Sequence, residues 1–173
     1  MVQCAIVYVL SHYNYHDAHQ RNYFICGGQI MTIIAISGTH CAYKTTFAHW
    51  LCLGLRTMGK NATVISEVAR ECPLPIHEGQ TLEATEWIIS RQIQLELEAE
   101  KNGYDYIICD RGVLDPLVYY MNSCIKKDKD PEIEYHMWLS LALMHMTNHY
   151  NHIIEIVLNE DKEQEKLTDD GFR

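Results

Sequence analysis

The chain has 173 residues, 47% of them hydrophobic and 21% charged, an ordinary globular composition whose length suits one domain with a real core. Its formal net charge of −9 repels a phosphate backbone, and no basic run offsets it locally, so a nucleic-acid groove is disfavoured. A small anionic ligand stays open, because a helix N-terminus and one lysine suffice to hold a phosphate.

Seven cysteines (Cys4, Cys26, Cys41, Cys52, Cys72, Cys109 and Cys124) are scattered, odd in number and without a Cys-x-x-Cys pair. That pattern argues against a disulfide framework or a zinc ribbon and for a reducing compartment, read here as the cytoplasm. The apolar stretches fall far short of a membrane span. Ala5 to Leu10 is apolar, but no positive segment precedes it and no small-residue cleavage site follows closely, so no secretory signal is read.

Residues 1–30 read as an N-terminal extension, poorly ordered or an artefact of an upstream start, with Ala5 to Leu10 as a short strand. The folded domain is expected to begin at Met31. Thr32 to Ser37 is a continuous apolar run, as expected for a strand buried on both faces. Lys44 to Met58 reads as a helix ended by Gly59, and Ala62 to Ser66 as a second strand. Thr81 to Lys101 is a long helix with Thr81 as N-cap and Glu83 at the positive dipole end, closed by Gly103.

Tyr104 to Cys109 is a third strand, Pro116 to Cys124 a helix, and Lys126 to Asp130 a charged loop. Asp130 is expected to cap a helix with Pro131 in its first turn, running to about Tyr150. Ile153 to Leu158 is a fourth strand, followed by a charged tail. Strands separated by helices imply right-handed crossovers and a parallel sheet, hence an α/β fold.

The chemistry concentrates in three places. Gly38-Thr39-His40-Cys41-Ala42-Tyr43-Lys44-Thr45 matches a phosphate-binding loop except at Tyr43, where the pattern wants glycine. A buried strand delivers the chain to a sharp turn, successive N–H groups face an anion, and the following helix adds its dipole. Lys44 would bridge the β- and γ-phosphates, and the Thr45 hydroxyl would ligate magnesium. The third strand ends in Asp110-Arg111, on the carboxyl rim where such sheets bind ligands. Asp110 suits the metal or the placing of a nucleophile, and Arg111 suits charge on a phosphoryl group in flight. Glu67 follows the second strand on the same rim, within reach of an acceptor hydroxyl, and Arg70 suits an anionic group on that acceptor. His145, His149 and His152, like His12, His16 and His19, fall at helical spacing but lack a metal-site pattern, and read as helix-face or surface histidines.

Together, GTHCAYKTT, SEVARE, DRGVLDPLVYY and the terminal DDGFR resemble P-loop ATP-binding proteins of the nucleoside and nucleotide kinase group. The nearest likeness is to ribosylnicotinamide-kinase-like ATPase domains, with thymidylate-kinase-like and deoxynucleoside-kinase-like proteins further off. The resemblance runs from about Met31 to Arg173. It implies a three-layer P-loop NTPase sandwich with a five-stranded parallel sheet in the order 2-3-1-4-5, an ATP–magnesium site formed along Gly38 to Thr46, and phosphoryl transfer to a small acceptor. It further implies that Glu67 contacts the acceptor or acts as base, that Asp115 and Tyr119 lie on the acceptor-facing helix, and that Glu160 to Arg173 is a lid with Arg173 supplying positive charge.

Two departures stand out: Tyr43 in the loop, and the chain's end at the lid. The latter leaves the order 2-3-1-4 with the fifth strand missing, unless residues 1–30 substitute for it, and makes 31–173 a C-terminally truncated kinase-like domain. The expected function is therefore transfer of the ATP γ-phosphoryl group to a nucleoside-like or nucleotide-like acceptor. The alternatives are a non-catalytic or regulatory nucleotide-binding module, or a fragment. The expected partners are a nucleotide and its acceptor, with neither nucleic acid nor membrane, and homodimer pairing left open.

Overall fold

The computed structural model describes residues 6–11, 25–26, 29–76 and 79–157. Continuous β-branched stretches make its central strands: β4 (Thr32–Gly38), β5 (Ala62–Ile65), β6 (Tyr106–Asp110) and β7 (His152–Val157), which follow the short strands β1 (Ile6–Ser11), β2 (Ile25–Cys26) and β3 (Gln29–Ile30). β4 pairs in parallel with β6 on one side and β7 on the other, and β5 pairs in parallel with β6. Numbered among themselves, the four parallel strands stand in the order 2-3-1-4, the arrangement of a P-loop NTPase. β1 adds a fifth strand at the edge beside β7, antiparallel, with Ile6 opposite Val157 and Ser11 opposite His152. β2 and β3 form a separate two-stranded ribbon.

Because side chains alternate across a strand, β4 serves two cores at once. Ile34 and Ile36 turn to one face with Ile108, Ile154 and Ile156, where Ala48 and Cys52 of α1 (Lys44–Thr57) cover them. Ile33, Ile107 and Cys109 turn to the other, under Ile88 and Ala99 of α2 (Leu82–Lys101). α3 (Asp115–Lys126) and α4 (Glu134–His149) pack outside α2 through Leu117, Tyr120, Tyr135 and Ala142. No helix among the described residues is long and apolar enough to cross a membrane.

Helix ends follow local chemistry. The Thr81 hydroxyl accepts from the Ala84 N–H at 3.3 Å, capping α2 as expected. Gly59, at φ 78°, turns the chain out of α1. The expected Asp130 cap is not formed. α4 starts at Glu134 after Ile133, because the Glu132 N–H donates instead to the Tyr120 hydroxyl at 3.3 Å, which ties the approach to α3.

Candidate functional site

The carboxyl ends of β4, β5 and β6 share one rim, and each carries charged or phosphate-seeking residues. Gly38 ends β4 at φ 134°, facing the backbone of β7; a Cβ there would lie 2.2 Å from the Ile156 carbonyl oxygen. No side chain fits, so the loop that follows leaves the sheet at its closest approach to a neighbouring strand.

Residues 38–43 then turn tightly into α1. Cys41 and Tyr43 both take left-handed backbone angles, φ 57° and 58°, and Tyr43 is the residue before the helix. The loop thus adopts at Tyr43 the conformation that favours glycine, at a cost on the order of 1 kcal/mol. Tyr43 is 64% exposed, so most of its bulk lies in solvent. Lys44 is buried and folds back to donate from Nζ to the Thr39 carbonyl oxygen. Burial first, and then the nearby Arg111 charge, hold its pKa down at about 8, and an arriving phosphate would push it back up.

Thr45 donates from Oγ1 to Asp110 Oδ2 at 2.6 Å, and Asp110 is almost wholly buried. These are hard oxygen donors beside a phosphate cradle. They fit magnesium, which keeps most of its waters and takes one or two protein oxygens plus the phosphates. Ala42 is buried in the α1-side core, and Thr46 lies exposed in the first turn of α1.

Across the rim, Arg111 is the hub. Its Nε donates to Glu67 Oε1 at 2.5 Å and its Nη1 to Asp115 Oδ1 at 3.2 Å, while the guanidinium lies 5.1 Å over the Tyr119 ring. Burial would lower the Arg111 pKa, but Tyr119, Asp115 and Glu67 together raise it, so the charge is permanent. Glu67 is pushed up by burial, yet Arg111 and then Arg70 overcome that and hold it below the usual carboxylate value. Asp115 moves the other way: burial raises its pKa despite Arg111, the Gly112 N–H at 2.9 Å and the Ser37 hydroxyl at 3.1 Å. Arg70 reaches Glu67 Oε2 at 2.8 Å from an exposed position.

Between these groups lies a cavity of about 30 Å³, room for roughly two water-sized spheres. Glu67, Arg111, Asp115 and Tyr119 line it with His40 of the phosphate loop, whose ring sits 5.1 Å from that of Tyr119. Arg70 does not line it. Val68, Ile76, Ile88 and Pro116 make apolar walls.

Two lining residues, Gln80 and Gln92, were not singled out from the sequence. Gln80 Nε2 donates to Thr85 Oγ1 and the Pro116 carbonyl, both at 2.8 Å, and Gln92 Nε2 donates to Glu96 at 2.7 Å. The signal available for Gln92 was a polar residue four positions from Glu96 on the apolar face of α2; nothing local marks Gln80. His145 also proves to be a buried helix-face residue, with Nε2 2.6 Å from Glu96 Oε2. The expected lid, Glu160 to Arg173, lies outside the described residues, as do His12, His16 and His19.

A parallel 2-3-1-4 sheet whose first strand runs through a phosphate loop into a helix, with an aspartate facing the loop threonine, defines a P-loop nucleotide-binding domain. The family model described as an AAA domain matches residues 33–170, most of the chain, and the chain belongs to that family. A search of curated proteins finds no match to it.

Proposed function

We propose that this chain is an ATP-dependent small-molecule kinase that moves the γ-phosphoryl group to a hydroxyl of a nucleoside-like or nucleotide-like acceptor. The observation that carries this reading is the cavity beside the loop, whose charged lining would receive the acceptor's reacting hydroxyl while the rest of the acceptor extends beyond its roughly 30 Å³. A nucleotide switch needs the loop and its metal aspartate, whereas here a cavity lined by two carboxylates, Glu67 and Asp115, adjoins the loop through His40.

In this mechanism the loop N–H groups and Lys44 hold the phosphate chain, with Thr45 and Asp110 as the residues that would hold magnesium. The metal would offset charge on the β- and γ-phosphates. Glu67, kept as a carboxylate, takes the proton of the acceptor hydroxyl. The acceptor oxygen–phosphorus bond forms as the bond from phosphorus to the bridging oxygen of ADP breaks. Arg111 and Lys44 face the charge that spreads over the transferring group. Arg70, outside the cavity, suits a phosphate or carboxylate on an acceptor that protrudes from it. Asp115 and Tyr119 hold Arg111 in place and border the acceptor.

The test is ADP formation measured by phosphorus NMR with a panel of nucleosides, nucleotides and ribosylated pyridines. Acceptor-dependent ADP is expected, and Glu67→Gln should lower kcat by about 10²–10⁴-fold with ATP binding intact. ADP formation indifferent to every acceptor would overturn it.

Two observations favour a second reading, a non-catalytic nucleotide-binding module. Both Glu67 oxygens are engaged by arginines, and the loop carries a strained tyrosine. That reading predicts nucleotide binding with no phosphoryl transfer to any acceptor.

A further inference from the structure

Behind the rim lies a buried polar cluster that the proposed chemistry does not use. Glu96 of α2 is fully buried and accepts four hydrogen bonds. They come from Gln92 Nε2 at 2.7 Å, Tyr150 OH at 2.8 Å, Cys109 Sγ at 3.5 Å and His145, whose Nε2 lies 2.6 Å from Oε2. Burying such a carboxylate is a poor way to add stability, since apolar residues of similar volume do as well or better.

The cluster opens onto the site at the loop that bears Arg111. Three successive amides there are pinned by three different elements. The Arg111 N–H donates to the Ile36 carbonyl at 3.0 Å, the Gly112 N–H to Asp115 Oδ2 at 2.9 Å, and the Val113 N–H to the Tyr150 hydroxyl at 3.1 Å. Arg111 itself sits at φ 83°, a conformation a non-glycine residue keeps only where its surroundings enforce it. The Tyr150 ring also packs under the loop, so close that a Cβ on Gly112 would lie 3.1 Å from Tyr150 Cε2.

Tyr150 therefore meets the loop with both its ring and its oxygen. Its hydroxyl has one proton, given to Glu96, and that leaves its lone pairs facing the Val113 N–H. Glu96 fixes the phenol, the phenol fixes Val113, and the loop holds Arg111 on the rim, bonded to Glu67 and Asp115 and near enough to Lys44 of the phosphate loop for the two charges to interact. We infer that Tyr150, oriented by Glu96, is a positioning residue for Arg111 and sets how strongly this domain prefers a nucleoside triphosphate over a diphosphate. The inference rests on the reading of Lys44–Thr45 as the nucleotide site, with Arg111 serving the γ-phosphate.

The test is calorimetric titration of magnesium–ATP and magnesium–ADP into the full chain. The unmodified protein should bind both and prefer ATP, and Arg111→Ala should abolish the preference. Tyr150→Phe, which keeps the ring and deletes the oxygen, should cut the ATP-to-ADP affinity ratio about fivefold, the effect of one hydrogen bond, with ADP affinity within about twofold. Adding it to Arg111→Ala should change the ratio no further. A ratio unmoved by Tyr150→Phe, or equal losses for both nucleotides, would reduce Tyr150 to a packing residue and overturn the inference.

Failure of the unmodified protein to bind either nucleotide would remove the nucleotide reading and the inference with it. Binding of both with no preference would remove the inference alone. Should Tyr150→Phe not fold, Glu96→Gln gives the same comparison. Amide hydrogen exchange in the unmodified protein gives a third check. The Val113 N–H should be protected like the neighbouring strand β6, and fast exchange there would overturn the tether.

Discussion

The two faces of the sheet are built from different materials. On the α1 face Ile34, Ile36, Ile108, Ile154 and Ile156 meet Ala48 and Cys52, and burial of apolar surface accounts for the packing. On the α2 face the same strands meet a core that also encloses Glu96, Gln92 and His145. The dry face supports the phosphate loop, whose geometry is carried by backbone. The polar face supports Arg111 and the cavity, whose geometry is carried by side chains. A P-loop domain can thus keep its anion cradle constant and vary what lies opposite it by changing buried polar groups on one side of the sheet.

The largest effect is expected where the dry face meets the loop. Gly38→Ala forces a Cβ onto the Ile156 carbonyl, a backbone atom that cannot step aside, and should cost more than about 4 kcal/mol in urea unfolding. A mild loss would mean that β4 and β7 separate more easily than their register implies.

Next comes a pair of truncations, one per face. Glu96→Ala leaves Tyr150, Gln92 and His145 without their acceptor and should cost about 3–5 kcal/mol. Ile36→Ala should cost about 2–5 kcal/mol through the cavity it leaves. The two should part company at the site: Ile36→Ala keeps the preference for ATP over ADP, while Glu96→Ala loses it. Equal effects on that preference would erase the distinction between the faces.

Tyr43→Gly relieves a left-handed tyrosine but adds freedom to the unfolded chain, so stability should change by less than about 1 kcal/mol. Nucleotide affinity should rise severalfold, as read by calorimetry, because the loop reaches its binding geometry without strain.

The smallest effect concerns pH. The hydrogen bond that His149 donates to Glu100 raises the His149 pKa above its ordinary 6.5, against the burial that lowers it. The folded value thus exceeds the unfolded one. The pair's contribution is fully present below pH 6.5 and is lost as pH rises through the folded value. The stability gap between the unmodified protein and Glu100→Gln should therefore narrow above pH 6.5, as followed by urea unfolding across a pH series.

What could be read in the sequence follows the same division. The parallel strands were legible because a strand buried on both faces is an unbroken β-branched run, as at Ile33 to Ile36. The phosphate loop was legible because its spacing is local, and the missing glycine marked the position that takes φ 58°. Ile6–Ser11 was legible as a strand, and the sequence leaves open its standing in for the fifth strand, but its antiparallel register on β7 was not legible, since a partner some 150 residues away leaves no trace in a strand's own alternation. The start of α4 was misplaced because the Tyr120 hydroxyl takes the Glu132 amide. Gln80 and Tyr150 escape the sequence because their roles come from partners on other elements, while Glu96 and Gln92 carry only the weak mark of polar residues on the apolar face of α2.

The most direct test of the account is titration of magnesium–ATP into the purified chain beside Lys44→Ala. Saturable binding that falls at least about 100-fold in Lys44→Ala, with both proteins folded, is the predicted result. A folded chain that takes up no nucleotide, or one whose affinity is the same without the Lys44 ammonium, would contradict the claim that residues 38–45 hold a nucleotide's phosphates.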